Sequence, residues 1–154
     1  MFSNIFKNKT ILISGHTGFK GSWLSLWLEN LGAKVVGISL DIPTTPSNFI
    51  ASSLESFIID HRVDVKNLEA VSSIVNQVQP DFVFHLAEQA LVRRSYMDPI
   101  ETIATNAIGS ANVLEALKTL NKKVVAIMIT SDKAYDNVEW VWGYRETDRL
   151  GGKD

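Results

Sequence analysis

Three glycines spaced three residues apart, in Gly15-His16-Thr17-Gly18-Phe19-Lys20-Gly21, have the most definite chemical use of any residues in this chain. A turn without side chains at these points lets the backbone approach a pyrophosphate. A helix starting directly behind it meets the negative charge with its free N–H groups and positive end. The motif predicts a dinucleotide site in which Gly15, Thr17, Gly18, Phe19, Lys20 and Gly21 hold the diphosphate. Taken alone, a glycine triplet reads equally as a flexible turn, so the prediction depends on a strand before it and a helix after it.

Asp41 follows Gly21 by 20 residues, where a carboxylate would accept hydrogen bonds from both hydroxyls of an adenosine ribose. Its charge would repel the extra phosphate of NADP, and Ser39-Leu40-Asp41-Ile42-Pro43 has no arginine to receive one, so NAD is favoured. An Asp before a proline-rich loop is also a common turn former. Further on, Asp64-Val65 is suited either to bonding an adenine ring or, through Asp64, to capping a helix that starts near Asn67. Thr130-Ser131-Asp132-Lys133 sets a hydroxyl, an acid and a base at a strand end; by composition alone a polar strand end with a solvated Asp-Lys pair is the favoured reading. Arg93-Arg94 suits either a bidentate grip on a diphosphate or an ordinary surface pair.

His16, His61 and His85 are isolated from one another and from any ligand spacing, so no metal site is expected. His85, on an apolar run, reads as a hydrogen-bonded core residue, and Trp23 and Trp27 read as helix core. Trp140 and Trp142 alternate as in an extended segment and either wall a pocket or simply pack.

These residues need a frame. Nearly continuous apolar runs predict strands at 10–14, 34–40, 57–60, 81–86 and 123–130, the pattern of a parallel sheet covered on both faces. Helical periodicity predicts helices over 22–31, 67–79 and 99–120, the second stopped by Pro80 and the third opened by Pro99. The gap between the second and third of these runs, which holds Pro43-Thr44-Thr45-Pro46-Ser47, reads mainly as loop. Right-handed crossovers then give a doubly wound α/β sheet of the Rossmann type in strand order 3-2-1-4-5, with its ligand edge at the carboxyl ends of the strands.

At 154 residues the chain suits one domain, 1–154. The hydrophobic share is 45% and the net charge −2, an ordinary globular balance without the basic field that attracts nucleic acid. Cysteine is absent, which excludes disulfides, thiolate nucleophiles and Cys-ligated zinc. No stretch approaches the roughly 18 apolar residues of a membrane span. With no secretory pattern at 1–9, the expected compartment is the cytoplasm.

The sequence resembles the CDP-glucose 4,6-dehydratases of the extended short-chain dehydrogenase/reductase superfamily, nearly end to end. The likeness rests on residues 15–28, on Pro43-Thr44-Thr45-Pro46-Ser47, on Leu91-Val92-Arg93-Arg94-Ser95-Tyr96, and on Thr130-Ser131-Asp132-Lys133 with Glu139-Trp140-Val141-Trp142-Gly143-Tyr144-Arg145-Glu146. The resemblance implies NAD as cofactor and CDP-D-glucose as substrate, dehydrated to the 4-keto-6-deoxy sugar in deoxysugar biosynthesis for lipopolysaccharide O-antigen. By the same resemblance Asp132 is the acid for the departing C6 hydroxyl, Lys133 the base for the C5 proton, and Ser131 a hydrogen-bond partner of the C4 oxygen. Leu86, Ala87, Asn106 and Thr130 belong to the cofactor groove, and Gln89, Arg93 and Arg94 to the substrate. The complete enzyme is expected to be a homo-oligomer. Related readings are another nucleotide-sugar epimerase or dehydratase of the superfamily, and a non-catalytic NAD-binding module.

Two departures stand out. The family pattern His-Leu-Ala-Ala-Gln-Pro is here His85-Leu86-Ala87-Glu88-Gln89-Ala90, with a carboxylate beside the cofactor. The superfamily also deprotonates the C4 hydroxyl with the tyrosine of a Tyr-x-x-x-Lys pair, whereas Tyr96, Tyr135 and Tyr144 are followed four residues later by Ile100, Glu139 and Asp148. The chain therefore reads as the N-terminal part of a longer enzyme, ending mid-loop at Gly151-Gly152-Lys153-Asp154. It is expected to be inactive alone and to expose an unpaired sheet edge prone to self-association.

Overall fold

The computed structural model describes residues 2–151; Met1 and Gly152, Lys153 and Asp154 lie outside the described residues. Five parallel strands, β1 (Thr10–Ser14), β2 (Lys34–Ser39), β3 (Ile59–Arg62), β4 (Phe82–His85) and β5 (Val125–Met128), form one sheet in the order β3-β2-β1-β4-β5. The alternation of a strand divides the core in two. Ile11 and Ile13 of β1 join Leu28, Val35 and Phe49 on one face, while Leu12 joins Val36, Val71, Val75, Val83 and Val113 on the other. The central strands are the ones buried on both sides. β3 and β5 flank the sheet and are more open, with Ile59 and Val125 exposed. The third strand begins two residues later than the sequence suggests, because 54–56 are taken up by a short 3-10 turn.

Helix α1 (Phe19–Asn30) packs on the first face beside the short α2 (Asn48–Ala51). Its buried residues are Gly21, Ser22, Ser25 and Leu28, whereas Trp23 and Trp27 are 53% and 49% exposed. The expectation that these indoles are helix core is therefore corrected. The helix must lie tight against the glycine turn that starts it, and only small residues allow that approach. A Cβ added at Gly21 would overlap the carbonyl oxygen of Gly15.

The opposite face carries α3 (Leu68–Val78) and α6 (Gly109–Leu117), packed side by side. Asn67 caps α3 by accepting the Ala70 N–H, and Gln79 ends it in the left-handed conformation before Pro80. Besides the short α2, in a gap read mainly as loop, two further features were not foreseen. Residues 92–97 form α4 (Val92–Met97), and the single helix expected over 99–120 is divided into α5 (Pro99–Ile103), a π-helical turn (Ala104–Ile108) and α6. Asp98 caps α5 by accepting the Glu101 N–H. The wider turn leaves Gly109 against Val65, where a Cβ would stand 2.7 Å from the valine Cγ2. No helix among the described residues is long and apolar enough to cross a membrane.

Candidate functional site

At the carboxyl ends of β1, β2 and β4 the chain forms a cavity of about 430 Å³. Its wall includes Gly15, Thr17, Gly18, Asp41, Asp64, Val65, Leu86, Ala87, Gln89 and Arg94 of the residues singled out from sequence. Gly15 has φ +76°, and a Cβ there would lie 2.8 Å from the Ala87 nitrogen, so the turn and the loop after β4 touch backbone to backbone. Gly18 precedes α1 with no side chain capping the helix start. The first-turn N–H groups are thus left for a ligand, the condition for an anion site. Phe19 and Lys20 are exposed and outside the cavity wall, and Gly21 is buried behind the turn.

The turn is tied sideways to β2. The Gly15 N–H donates to the Ile38 carbonyl at 2.8 Å, and the Thr17 hydroxyl donates to the Asp41 carbonyl at 2.6 Å. Asp41 itself is exposed on the cavity wall with Ser39, Leu40, Pro43 and Thr44, and none of these neighbours is cationic. At the other flank, Asp64 accepts the Lys66 backbone N–H at 2.9 Å and pairs with the Lys66 ammonium at 3.4 Å. Asn67, not Asp64, caps α3. Lys66 also binds both oxygens of Glu101, which holds the lysine above its ordinary range and the glutamate below its own. This pair joins the loop after β3 to α5 along the cavity rim.

Behind the cavity runs a buried polar chain whose directions follow from valence. Ser14 Oγ accepts the N–H groups of Leu86 and Ala87 at 3.1 and 3.2 Å, so its own proton goes to His85 Nδ1 at 2.6 Å. His85 is then the neutral Nε2–H tautomer, donating to Ser110 at 2.9 Å, and Ser110 donates to the Asn106 carbonyl at 2.6 Å. Burial holds His85 below its ordinary value, in keeping with that neutral form. Asn106, inside the π turn, accepts the Gln89 N–H at 2.7 Å and donates to the Gln89 carbonyl at 3.1 Å. It fixes the loop beside the cavity rather than lining it. The Gln89 side chain is itself engaged with Leu91 and Thr102.

The end of the fifth strand lies on the same sheet edge. Asp132–Ala134 form a 3-10 turn in which the Lys133 N–H donates to Ser131 Oγ at 3.2 Å; the Asp132 side chain lies outside the described residues. Thr130, Ser131 and Lys133 are exposed and do not belong to the cavity wall, and neither does Arg93. Glu88 is part of the wall. Tyr135, Trp140 and Tyr144 cluster, with Tyr135 and Tyr144 stacked at 5.2 Å, while Trp142 is 74% exposed. No cluster of three metal-ligating side chains occurs among the described residues.

With this geometry in view, comparison with known proteins is decisive on family. The profile of the GDP-mannose 4,6 dehydratase family matches residues 12–152. The chain belongs to that family. It is 47% identical over 151 residues to the CDP-glucose 4,6-dehydratase of Salmonella typhimurium, covering 98% of this chain and 42% of that enzyme. It is 30% identical to the CDP-paratose 2-epimerase of Salmonella typhi, covering 90% of this chain and 41% of that one. The structure of the Thermus thermophilus UDP-glucose 4-epimerase, in complex with NAD, superposes with a TM-score of 0.80 at 25% identity, covering 94% of this chain and 45% of that one. The chain thus spans less than half the length of these relatives.

Sequence reasoning missed Ser39, Leu40, Pro43, Thr44, Glu101 and Thr105 as cavity wall, and Ser14 and Ser110 as its support. The first four adjoin Asp41 in sequence, a usable signal. Glu101, Thr105 and Ser110 reach the site only through the α5, π-turn and α6 path, which periodicity does not resolve.

The two buried imidazoles make stability depend on pH. His16, like His85, is held below the ordinary histidine value of 6.5 mainly by burial, with Asp60 partly opposing. Unfolded chains then bind more protons than folded ones below pH 6.5. Urea unfolding should show stability level above that pH and falling as pH drops from about 6.5 to about 5.5, before the carboxylates of Asp81 and Glu101 titrate. A stability that rises over this interval would contradict the neutral assignments.

Proposed function

We propose that this chain forms the NAD-binding half of a nucleotide-sugar 4,6-dehydratase whose substrate is CDP-D-glucose. The observation that carries the cofactor reading is the close-packed glycine turn at an uncapped helix start, opening on a cavity with Asp41 at its β2 side and no cation beside it. The substrate reading is supported by the 47% identity to a CDP-glucose 4,6-dehydratase. Held by these residues, NAD would supply a hydride acceptor for sugar C4 and, once reduced, the hydride donor for C6.

The chain's own residues supply binding and two proton movements. The N–H groups of the first turn of α1 meet the diphosphate charge, Asp41 accepts the ribose hydroxyls, Asp64 and Val65 flank the adenine, and Leu86 and Ala87 line the far end of the groove. Asn106 keeps that loop in place through Gln89, and Arg94 adds positive charge at the wall for a diphosphate. Oxidation at C4 acidifies the C5 proton, which Lys133 removes; Asp132 protonates the C6 hydroxyl so that it leaves as water, and Ser131 bonds the C4 oxygen. The C4 hydroxyl needs a further base that none of Tyr96, Tyr135 and Tyr144 supplies within a Tyr-x-x-x-Lys pair. Such an enzyme belongs in the cytoplasm, with its nucleotide-sugar and dinucleotide reactants.

Calorimetric titration tests the cofactor assignment. NAD should bind at least about tenfold more tightly than NADP, a difference of about 1.4 kcal/mol, and Asp41→Ala should erase the preference. Equal affinities in the unaltered protein, or undiminished discrimination in the variant, would remove Asp41 from its role. The acid and base are tested in the complete enzyme in deuterated water. Lys133→Met should stop deuterium entering sugar C5, and both it and Asp132→Asn should lose dehydrated product by about 10² to 10⁴-fold. Near-normal dehydration in either variant would assign that proton transfer elsewhere.

A further inference from the structure

His16 stands between the first two glycines of the turn, yet its ring faces inward and is fully buried. It occupies space left by Gly37 of β2, where a Cβ would overlap the imidazole. The ring meets Phe49 of α2 edge-on at 5.5 Å. Past β2 it reaches β3, where Nε2 and Asp60 Oδ1 are 2.9 Å apart. Asp60 is held in turn by Arg62, at 2.7 Å from the guanidinium, and Arg62 lies over the Phe49 ring at 5.1 Å. Nδ1 has no partner within ordinary hydrogen-bond geometry, and the bond to Asp60 is the one that ties the ring to β3. As a neutral ring with a carboxylate at Nε2, His16 carries its proton there and donates it.

A buried core filler would not need this arrangement. A leucine fills similar space without leaving a ring nitrogen unpaired, and a glycine in β2 forfeits packing and strand propensity. What the imidazole adds is a directed bond from the glycine turn to a strand two places away. We propose that His16 is a positioning residue, which through Asp60 sets the place of the turn, and with it the free N–H groups at the start of α1, relative to Asp41, and so selectively supports the diphosphate part of the ligand. This rests on the reading of the turn as a dinucleotide site. Thr17, bonded to the Asp41 carbonyl, and Gly15, bonded to Ile38, fix the turn to β2 alone. His16 adds an attachment to β3, beyond the ties to β2 and the backbone contact with the loop after β4.

The test separates diphosphate from nucleoside. ADP binding is measured by calorimetry and adenosine binding by ligand-observed NMR, for the unaltered protein, His16→Leu, His16→Gln and Asp60→Ala. His16→Leu and Asp60→Ala should each weaken ADP about tenfold, or about 1.4 kcal/mol, while adenosine changes by less than about twofold. His16→Gln, whose amide N–H can replace Nε2–H, should recover most of the ADP affinity. Retained adenosine binding shows that a variant is folded, and the Asp60 variant keeps the buried ring if leucine is not tolerated. An ADP-to-adenosine ratio unchanged in both His16→Leu and Asp60→Ala would overturn the positioning role while leaving the dinucleotide reading intact. Failure of the unaltered protein to bind either ligand would overturn that reading, and this inference with it.

Discussion

The structure depends on one close approach, between the backbone of Gly15 and that of Leu86 and Ala87, in which no Cβ can be accommodated. It joins the exit of β1 to the exit of β4, strands that pair directly but are 71 residues apart at Ser14 and His85. Once these exits touch, the glycine turn must pass over the sheet edge and start α1 at once. That brings Gly21 against the Gly15 carbonyl and places the helix start beside the cavity. Each subsequent feature of the site is a consequence of keeping this contact.

Polar side chains hold the contact from beneath. Ser14 receives two loop N–H groups and passes its proton to His85, whose other nitrogen reaches Ser110 and, through it, the π turn with Asn106. Asn106 then clamps the backbone of Gln89 on both sides. A buried chain of this kind is stable only when every member is satisfied, and it is: both serines, the imidazole and the amide each have a partner. On the other side of the turn, Thr17 and His16 provide the equivalent support from β2 and β3. The cavity wall is thus held by bonds within the chain itself, and a wall held in this way lowers the ordering cost of binding.

The frame was legible because its signals are local. Apolar runs indicated five strands and their order, and the glycine spacing located the turn, since both follow from which side chains a parallel sheet and a tight turn can hold. Asp41, Asp64 and Val65 fell on the wall because they lie within three residues of strand ends, whereas Leu86 and Ala87 were implied by the family resemblance. What failed depends on distant partners. Trp23 and Trp27 share a periodic stripe with Leu24, Leu28 and Leu31, but the helix rotates so that glycine and serine face the sheet. The π turn is invisible to periodicity, because it shifts the helical phase within a segment that remains apolar on average. The pairing of His16 with Asp60 could not be anticipated from residues 44 apart without knowing that Gly37 opens the space between them.

The central claim, that this edge of the sheet is a preformed dinucleotide site, is tested most directly by following backbone amide resonances while NAD is added. The account predicts that the largest shifts fall on the amides of residues 15–21 and 86–89, with smaller ones at 40–44 and 64–65. Shifts centred instead on the exposed groove of Trp23 and Trp27, or an unchanged glycine turn at saturating NAD, would contradict it.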